Sequence, residues 1–151
     1  MKIAEFQGVN RFLSNFWPVP SALVLAGTDL KFTTVEHAYQ AAKVTPGNRT
    51  LLEHIWDAPT PGQAKRRGRE VPIRAGWDGM KLAVMENLVR QKFDPAKNPH
   101  LWRLLVSTGD AVLEEGNKWG DRFWGVCGGT GENHLGKILM KVRAEFSTPA
   151  I

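Results

Sequence analysis

One cysteine, Cys127, stands in 151 residues, which excludes an intrachain disulfide and leaves neither a four-cysteine zinc site nor one of two cysteines and two histidines to build. No apolar run approaches the roughly 20 residues that a bilayer demands. The opening MKIAEFQGVN has no apolar core of the signal-peptide kind. Together these absences lead us to expect a soluble, cytoplasmic protein without a membrane partner. The four histidines, His37, His54, His100 and His134, show neither H-x-x-x-H nor H-E-x-x-H spacing, so no metal site is expected. A G-x-S-x-G elbow, a G-x-G-x-x-G turn after a strand and the Lys-Ser/Thr of a Walker loop are also missing. The common nucleophilic and nucleotide-binding templates therefore find no support, and no cofactor is expected.

The chain does carry a net charge of +5 and a pI near 9.6. A basic balance of that size suits a phosphate-bearing partner, either nucleic acid or a small phosphorylated ligand. Six tryptophans stand against one tyrosine. An indole either fills a core or stacks on a flat ligand, and core filling is the ordinary use.

The length matches one domain over residues 1–151, large enough to bury a sizeable core, with no repeat or long linker to split it. ALVLAGTDLKF reads as a hairpin turning at Gly27 and Thr28, and the β content is expected to end near there. A helix starts after Thr33, the cap of a box closed by Glu36, and stops around Pro46-Gly47. A short one follows over Thr50 to Trp56. Thr60-Pro61-Gly62-Gln63 signals another start. From Asp78, as N-cap with Trp77 as hydrophobic staple, Leu82, Met85, Leu88 and Val89 recur at helical spacing, predicting the central core helix up to about Phe93. Asn98-Pro99 opens a helix with Leu101, Leu104 and Leu105, which Gly109 closes. Val112 and Leu113 form a short link. The glycines of GNKWGDRFWGVCGGTGEN predict irregular backbone, and Asn133 caps a last helix with Leu135, Ile138, Leu139 and Val142 inward. The expected fold class is mainly α, one helical domain with a small N-terminal β-hairpin.

In TTVEHAYQAAK, at about 3.6 residues per turn, Glu36, Gln40 and Lys43 fall at i, i+4 and i+7 and share a face. Glu36 serves either as helix cap or as a working carboxylate. Lys65-Arg66-Arg67-Gly68-Arg69 and Arg74 gather five positive charges in ten residues, either a solvated face or a phosphate grip. Lys65 and Arg69, four apart, are the pair that points one way. Glycines from Gly125 to Gly131 run into the helix start at Asn133, an anion-binding turn or a plain surface loop. WGDRFWG joins Asp121, a second carboxylate or a turn cap, to Trp124, a stacking surface or core.

The strings FLSNFWP, TVEHAYQAAK, AKRRGR, WD, the KF of Lys92-Phe93, STGDAVLEE, DRFWG and NHLGKILMKVR resemble, in that order, the YbiA-like or NADAR domain family. The likeness runs from about Phe6 to Arg143. VCGGTGEN, after Trp124-Gly125, departs from it by being shorter and richer in glycine than in many members. The resemblance implies a mainly helical fold and a metal-independent N-glycosidase. It implies two substrate classes, the ribose 5-phosphate-bearing intermediates of early riboflavin synthesis and ADP-ribosylated guanine, free or within nucleic acid. It carries function onto Glu36, Trp77, Asp121 and Trp124, with Lys43 closing the first motif.

Cleaving an N-glycosidic bond builds positive charge on the ribose, which a nearby carboxylate stabilises. Glu36 or Asp121 takes that part, and the other handles water or the departing nitrogen. Gln40 is taken as substrate-binding; Lys43 holds ribose hydroxyls or phosphate, or acts as a covalent amine. Trp77 and Trp124 stack the base, and Lys65 and Arg69 take phosphate. Two other readings stand beside this one: a binding module for ADP-ribose or a nucleotide that cleaves nothing, and a basic nucleic-acid-binding domain. Oligomeric state is not legible.

Overall fold

A computed structural model of the chain describes residues Met1–Ser147. In chain order it holds β1 (Lys2–Ile3), a 3-10 helix (Gly8–Leu13), β2 (Leu23–Val24), β3 (Lys31–Phe32), α1 (Val35–Ala42), α2 (Arg49–Trp56) and α3 (Pro61–Gly68). Then follow α4 (Trp77–Lys92), α5 (Pro99–Ser107), β4 (Val112–Leu113), β5 (Gly116–Asn117), β6 (Val126–Cys127) and α6 (His134–Ser147). The class is mainly α, as expected. The residues gather into two units, Asn15–Lys92 and Met1–Ser14 with the chain from Phe93 onward.

In the Asn15–Lys92 unit α1 is the centre, packed by α2, α3, α4 and the hairpin. All eight of its residues are buried. A helix buried on every side is usually apolar on every side. This one buries Glu36, His37 and Gln40, which demands internal partners for them. The long α4, expected at the centre, instead buries Met85, Leu88 and Val89 along one edge and leaves Leu82 exposed. The hairpin is antiparallel, pairing Leu23 with Phe32 and Val24 with Lys31, and Gly27 turns it at a φ of 83°.

The cap of α1 is Thr34, one residue later than expected. Its hydroxyl accepts from the His37 N–H at 3.0 Å. Thr33 is held outside the helix, its carbonyl accepting from the Val19 N–H at 2.8 Å. Glu36 therefore sits at the second helical position, and the capping box with Thr33 does not form. Asn48 caps α2 and Thr60 caps α3. Trp77 is the first residue of α4, so Asp78 lies inside the first turn, where it pairs with Lys81 at 3.4 Å, and is not the cap.

The other unit is built on α5 and α6. α5 packs on α6, and Leu101 and Leu105 of the first and Leu135, Ile138, Leu139 and Val142 of the second are buried, each such side chain contributing about 1.5 to 3 kcal/mol on burial. β content does not end at the hairpin. Lys2 and Ile3 pair in parallel with Val112 and Leu113, and Gly116 and Asn117 with Val126 and Cys127. Asn133, at a φ of 54°, ties this region together: its side chain accepts from the Glu115 N–H at 3.0 Å and donates to the Leu113 carbonyl at 2.9 Å.

Candidate active site

The interior of α1 is where polar chemistry collects. Glu36 is 7% exposed and Gln40 4%. One turn separates them, so the Gln40 carboxamide reaches back and its Nε2 donates to Glu36 Oε1 at 2.7 Å. Burial pushes the Glu36 carboxyl above its usual range, because a charge in a low dielectric is disfavoured. The Gln40 N–H, then the positive fields of Lys65 and Lys43 and the His37 ring, oppose that rise. The site is thus one buried acid held by one amide and faced by cations from two helices.

Lys43 closes α1 at its C-cap, where a cation also meets the negative end of the helix. Its Nζ lies 5.4 Å from the Tyr39 ring centre, within cation–π reach. Burial lowers its ammonium below the ordinary lysine range; Glu36 resists this, while Arg69, Lys65 and Lys81 add to it. Half-buried Lys65 and exposed Arg69 come from the end of α3. Trp77 is buried, its ring 5.3 Å from Tyr39 at 56°. Of the residues singled out in sequence, Glu36, Gln40, Lys43, Lys65 and Arg69 thus act on one another, and Trp77 joins them through Tyr39.

Three residues of this cluster were missed. Tyr39 is the lone tyrosine and sits between Trp77 and Lys43. Lys81 falls four residues after Trp77, on the same face of α4. Gly68, hidden among the arginines, lies directly against the Gln40 side chain. His37 has a structural job: its Nε2 meets the Ala58 carbonyl at 2.9 Å and its Nδ1 the Thr34 hydroxyl at 2.7 Å. A carbonyl only accepts, so Nε2 carries the hydrogen.

Asp121 and Trp124 belong to the other unit. Asp121 Oδ1 accepts from the Phe123 and Trp124 N–H groups at 3.1 and 2.9 Å, an Asx turn that uses one of its two oxygens. Asn117 braces it from behind, accepting from the Asp121 N–H at 3.0 Å and donating to its carbonyl at 2.8 Å. Trp124 is half-buried and stands edge-on to Phe123 at 4.9 Å; the His134 ring lies tilted against Phe123, centres 4.5 Å apart at 43°.

The glycine-rich turn does not present a free helix start to an anion. The His134 and Leu135 N–H groups of α6 are taken by the Phe123 and Trp124 carbonyls at 3.1 and 3.0 Å, and Cys127 and Thr130 bond each other. Among the described residues no three His, Cys, Asp or Glu side chains form a metal-ligand group, and no helix is long and apolar enough to cross a membrane.

The NADAR domain model matches residues 5–147. An N-glycosidase of Nostoc punctiforme is 40% identical over 78% of this chain and 76% of its own. A riboflavin biosynthesis protein of Vibrio vulnificus is 38% identical over 92% of this chain, which spans 36% of that protein's length. The NMR structure of Escherichia coli YbiA superposes with a TM-score of 0.77 at 31% identity, covering 97% of this chain and 84% of that one. With its family match through both units and its fold shared with YbiA, the chain belongs to the NADAR domain family, among the YbiA-like proteins.

Proposed function

We propose that the protein is an N-glycosidase that hydrolyses the bond between a nitrogenous base and a ribose phosphate or ADP-ribose, and that residues 1–151 form one YbiA-like domain. The observation that carries this reading is Glu36, a buried carboxylate that takes its hydrogen bond from Gln40 and lies in the field of Lys43 and Lys65. A merely structural carboxylate gains nothing from such burial, whereas a charge stabiliser works best where water does not screen it. The relatives named N-glycosidase support the reaction class, and the Vibrio vulnificus relative supports a riboflavin intermediate as one substrate.

In this mechanism Glu36 stabilises the positive charge that develops on the ribose as the bond to nitrogen breaks. Asp121, its rotamer fixed by the Phe123 and Trp124 N–H groups, positions and deprotonates the water that adds to the anomeric carbon. Its acquired proton passes to the departing base. Lys43 holds ribose hydroxyls or phosphate, and Gln40 keeps Glu36 aimed. Trp77 and Trp124 each offer an indole to the base, and Lys65 with Arg69 takes phosphate. No step uses a metal ion. The substrate is a phosphorylated, nucleotide-like small molecule or ADP-ribosylated guanine.

The testing experiment offers the purified protein guanine-linked ADP-ribose and the phosphorylated ribosylamino-pyrimidine side by side. Mass spectrometry of released products identifies the cleaved bond. Release of free base from either supports the reading. Tight binding with no release from both favours the non-cleaving module.

A further inference from the structure

α3 ends in a buried glycine, Gly68. Its φ is outside the left-handed region that turn glycines such as Gly27, Gly47 and Gly76 use, so the backbone does not require glycine there. Alanine is the better helix former at such a position. What forbids a side chain is the neighbour on α1. A Cβ at Gly68 would overlap the Gln40 carboxamide oxygen, and would stand 2.7 Å from Gln40 Cδ and 3.1 Å from its Cβ.

Moving the tip of Gln40 alone would not clear that Cβ. Its Nε2 is committed to Glu36 at 2.7 Å, and the contact reaches its Cβ as well as its tip. Among the described residues its buried Oε1 has no hydrogen-bond partner, an arrangement that ordinarily turns an amide over to find one. Turning it would set oxygen against oxygen at an ionised Glu36. The carboxamide is therefore held by the carboxylate on one side and by the bare backbone of α3 on the other.

We propose that Gly68 is a positioning residue for Glu36, acting through Gln40: the missing side chain on α3 seats the amide that holds the carboxylate in its working place. The inference rests on the reading of Glu36 as the charge-stabilising carboxylate. Displacing Gln40 removes the strongest influence favouring ionised Glu36 and leaves burial less opposed. The other charged or titratable groups acting there are Lys65 from α3 and Lys43 and His37 from α1, with Arg69 and Lys81 facing Lys43.

The test compares wild type, Gly68→Ala, Gln40→Ala and the double variant by pH profile of kcat/KM and by thermal unfolding, with Glu36→Gln alongside. Gly68→Ala is expected to lower kcat about tenfold or more and to move the acid limb up by about one pH unit. Gln40→Ala does the same. In the Gln40→Ala background, where the clash is gone, Gly68→Ala adds less than about twofold, and the double variant unfolds no earlier than Gly68→Ala. Equal losses in both backgrounds, failure to fold in both included, overturn the inference, since Gly68 then serves helix packing alone. An unmoved acid limb in Gly68→Ala overturns it too, when Glu36→Gln is inactive. Wild-type turnover by Glu36→Gln overturns the underlying reading, and the Gly68 inference with it.

Discussion

Gln40 Nε2 donates to Glu36 Oε1 across 2.7 Å inside a helix buried on every side. That bond is local, set by four residues of spacing, yet its surroundings are not. Lys65 comes from α3 and acts on the carboxylate, while Lys81 of α4 acts on Lys43 at the end of the same helix. A buried acid in such a setting costs stability and gains electrostatic strength, the ordinary trade at a functional carboxylate.

Lys43 is the first residue to test around it. Because burial lowers its ammonium below the lysine value of 10.5, its cationic role is lost as pH rises through that lowered value. The alkaline limb of kcat/KM should begin below the ordinary lysine range. Lys43→Ala should lose on the order of 10²-fold in kcat/KM, and Lys43→Arg should recover part of that if charge is what matters. Borohydride added during turnover reads the covalent alternative, as a mass adduct on wild type that Lys43→Arg lacks.

The basic pair makes a different prediction. Lys65→Ala combined with Arg69→Ala should cost more affinity for a phosphorylated ligand than for its dephosphorylated form, measured by calorimetry. Equal losses would assign both residues to a solvated face.

Trp124 has two claims on it, the base and the Phe123–His134 rings. Trp124→Ala should weaken substrate binding by about 1 to 3 kcal/mol, the worth of one base stacked on an aromatic ring. Unchanged affinity with a lowered Tm would return the indole to the core.

Lys92, 1% exposed, is pushed down to about 7 by burial. The unfolded chain binds that proton up to the ordinary lysine value, so stability should rise as pH climbs from about 7 toward 10.5. The slope is at most about 1.4 kcal/mol per pH unit. Denaturant melts at several pH values check this, and Lys92→Met should flatten the rise.

Much of the fold was legible because helix starts are written in local chemistry. Thr60-Pro61 and Asn98-Pro99 open helices where their composition says. The cap of α1 falls one residue beyond the one its local pattern indicates because two threonines are adjacent. The choice between them is made by tertiary bonds, Val19 to the Thr33 carbonyl and the Glu36 N–H to the Asn15 carbonyl. The strands beyond the hairpin escaped notice for a similar reason: two-residue parallel pairs such as Lys2 with Val112 join distant segments and leave no periodicity. In the site, Glu36, Gln40 and Lys43 share one helix and could be read together. Tyr39, Lys81 and Gly68 acquire meaning only once α3 and α4 pack on α1.

The central claim is that Glu36 carries the hydrolysis. Its raised carboxyl value means that the ionised form costs stability increasingly as pH rises from 4.5 through the folded value, so Glu36→Gln removes a cost and should fold at pH 7 with an equal or higher Tm. The decisive measurement is base release by wild type and Glu36→Gln from whichever of guanine-linked ADP-ribose and the phosphorylated ribosylamino-pyrimidine the wild type cleaves. A loss of at least about 10²-fold in kcat by a fully folded variant is the predicted result. Turnover within a few fold of wild type would contradict it.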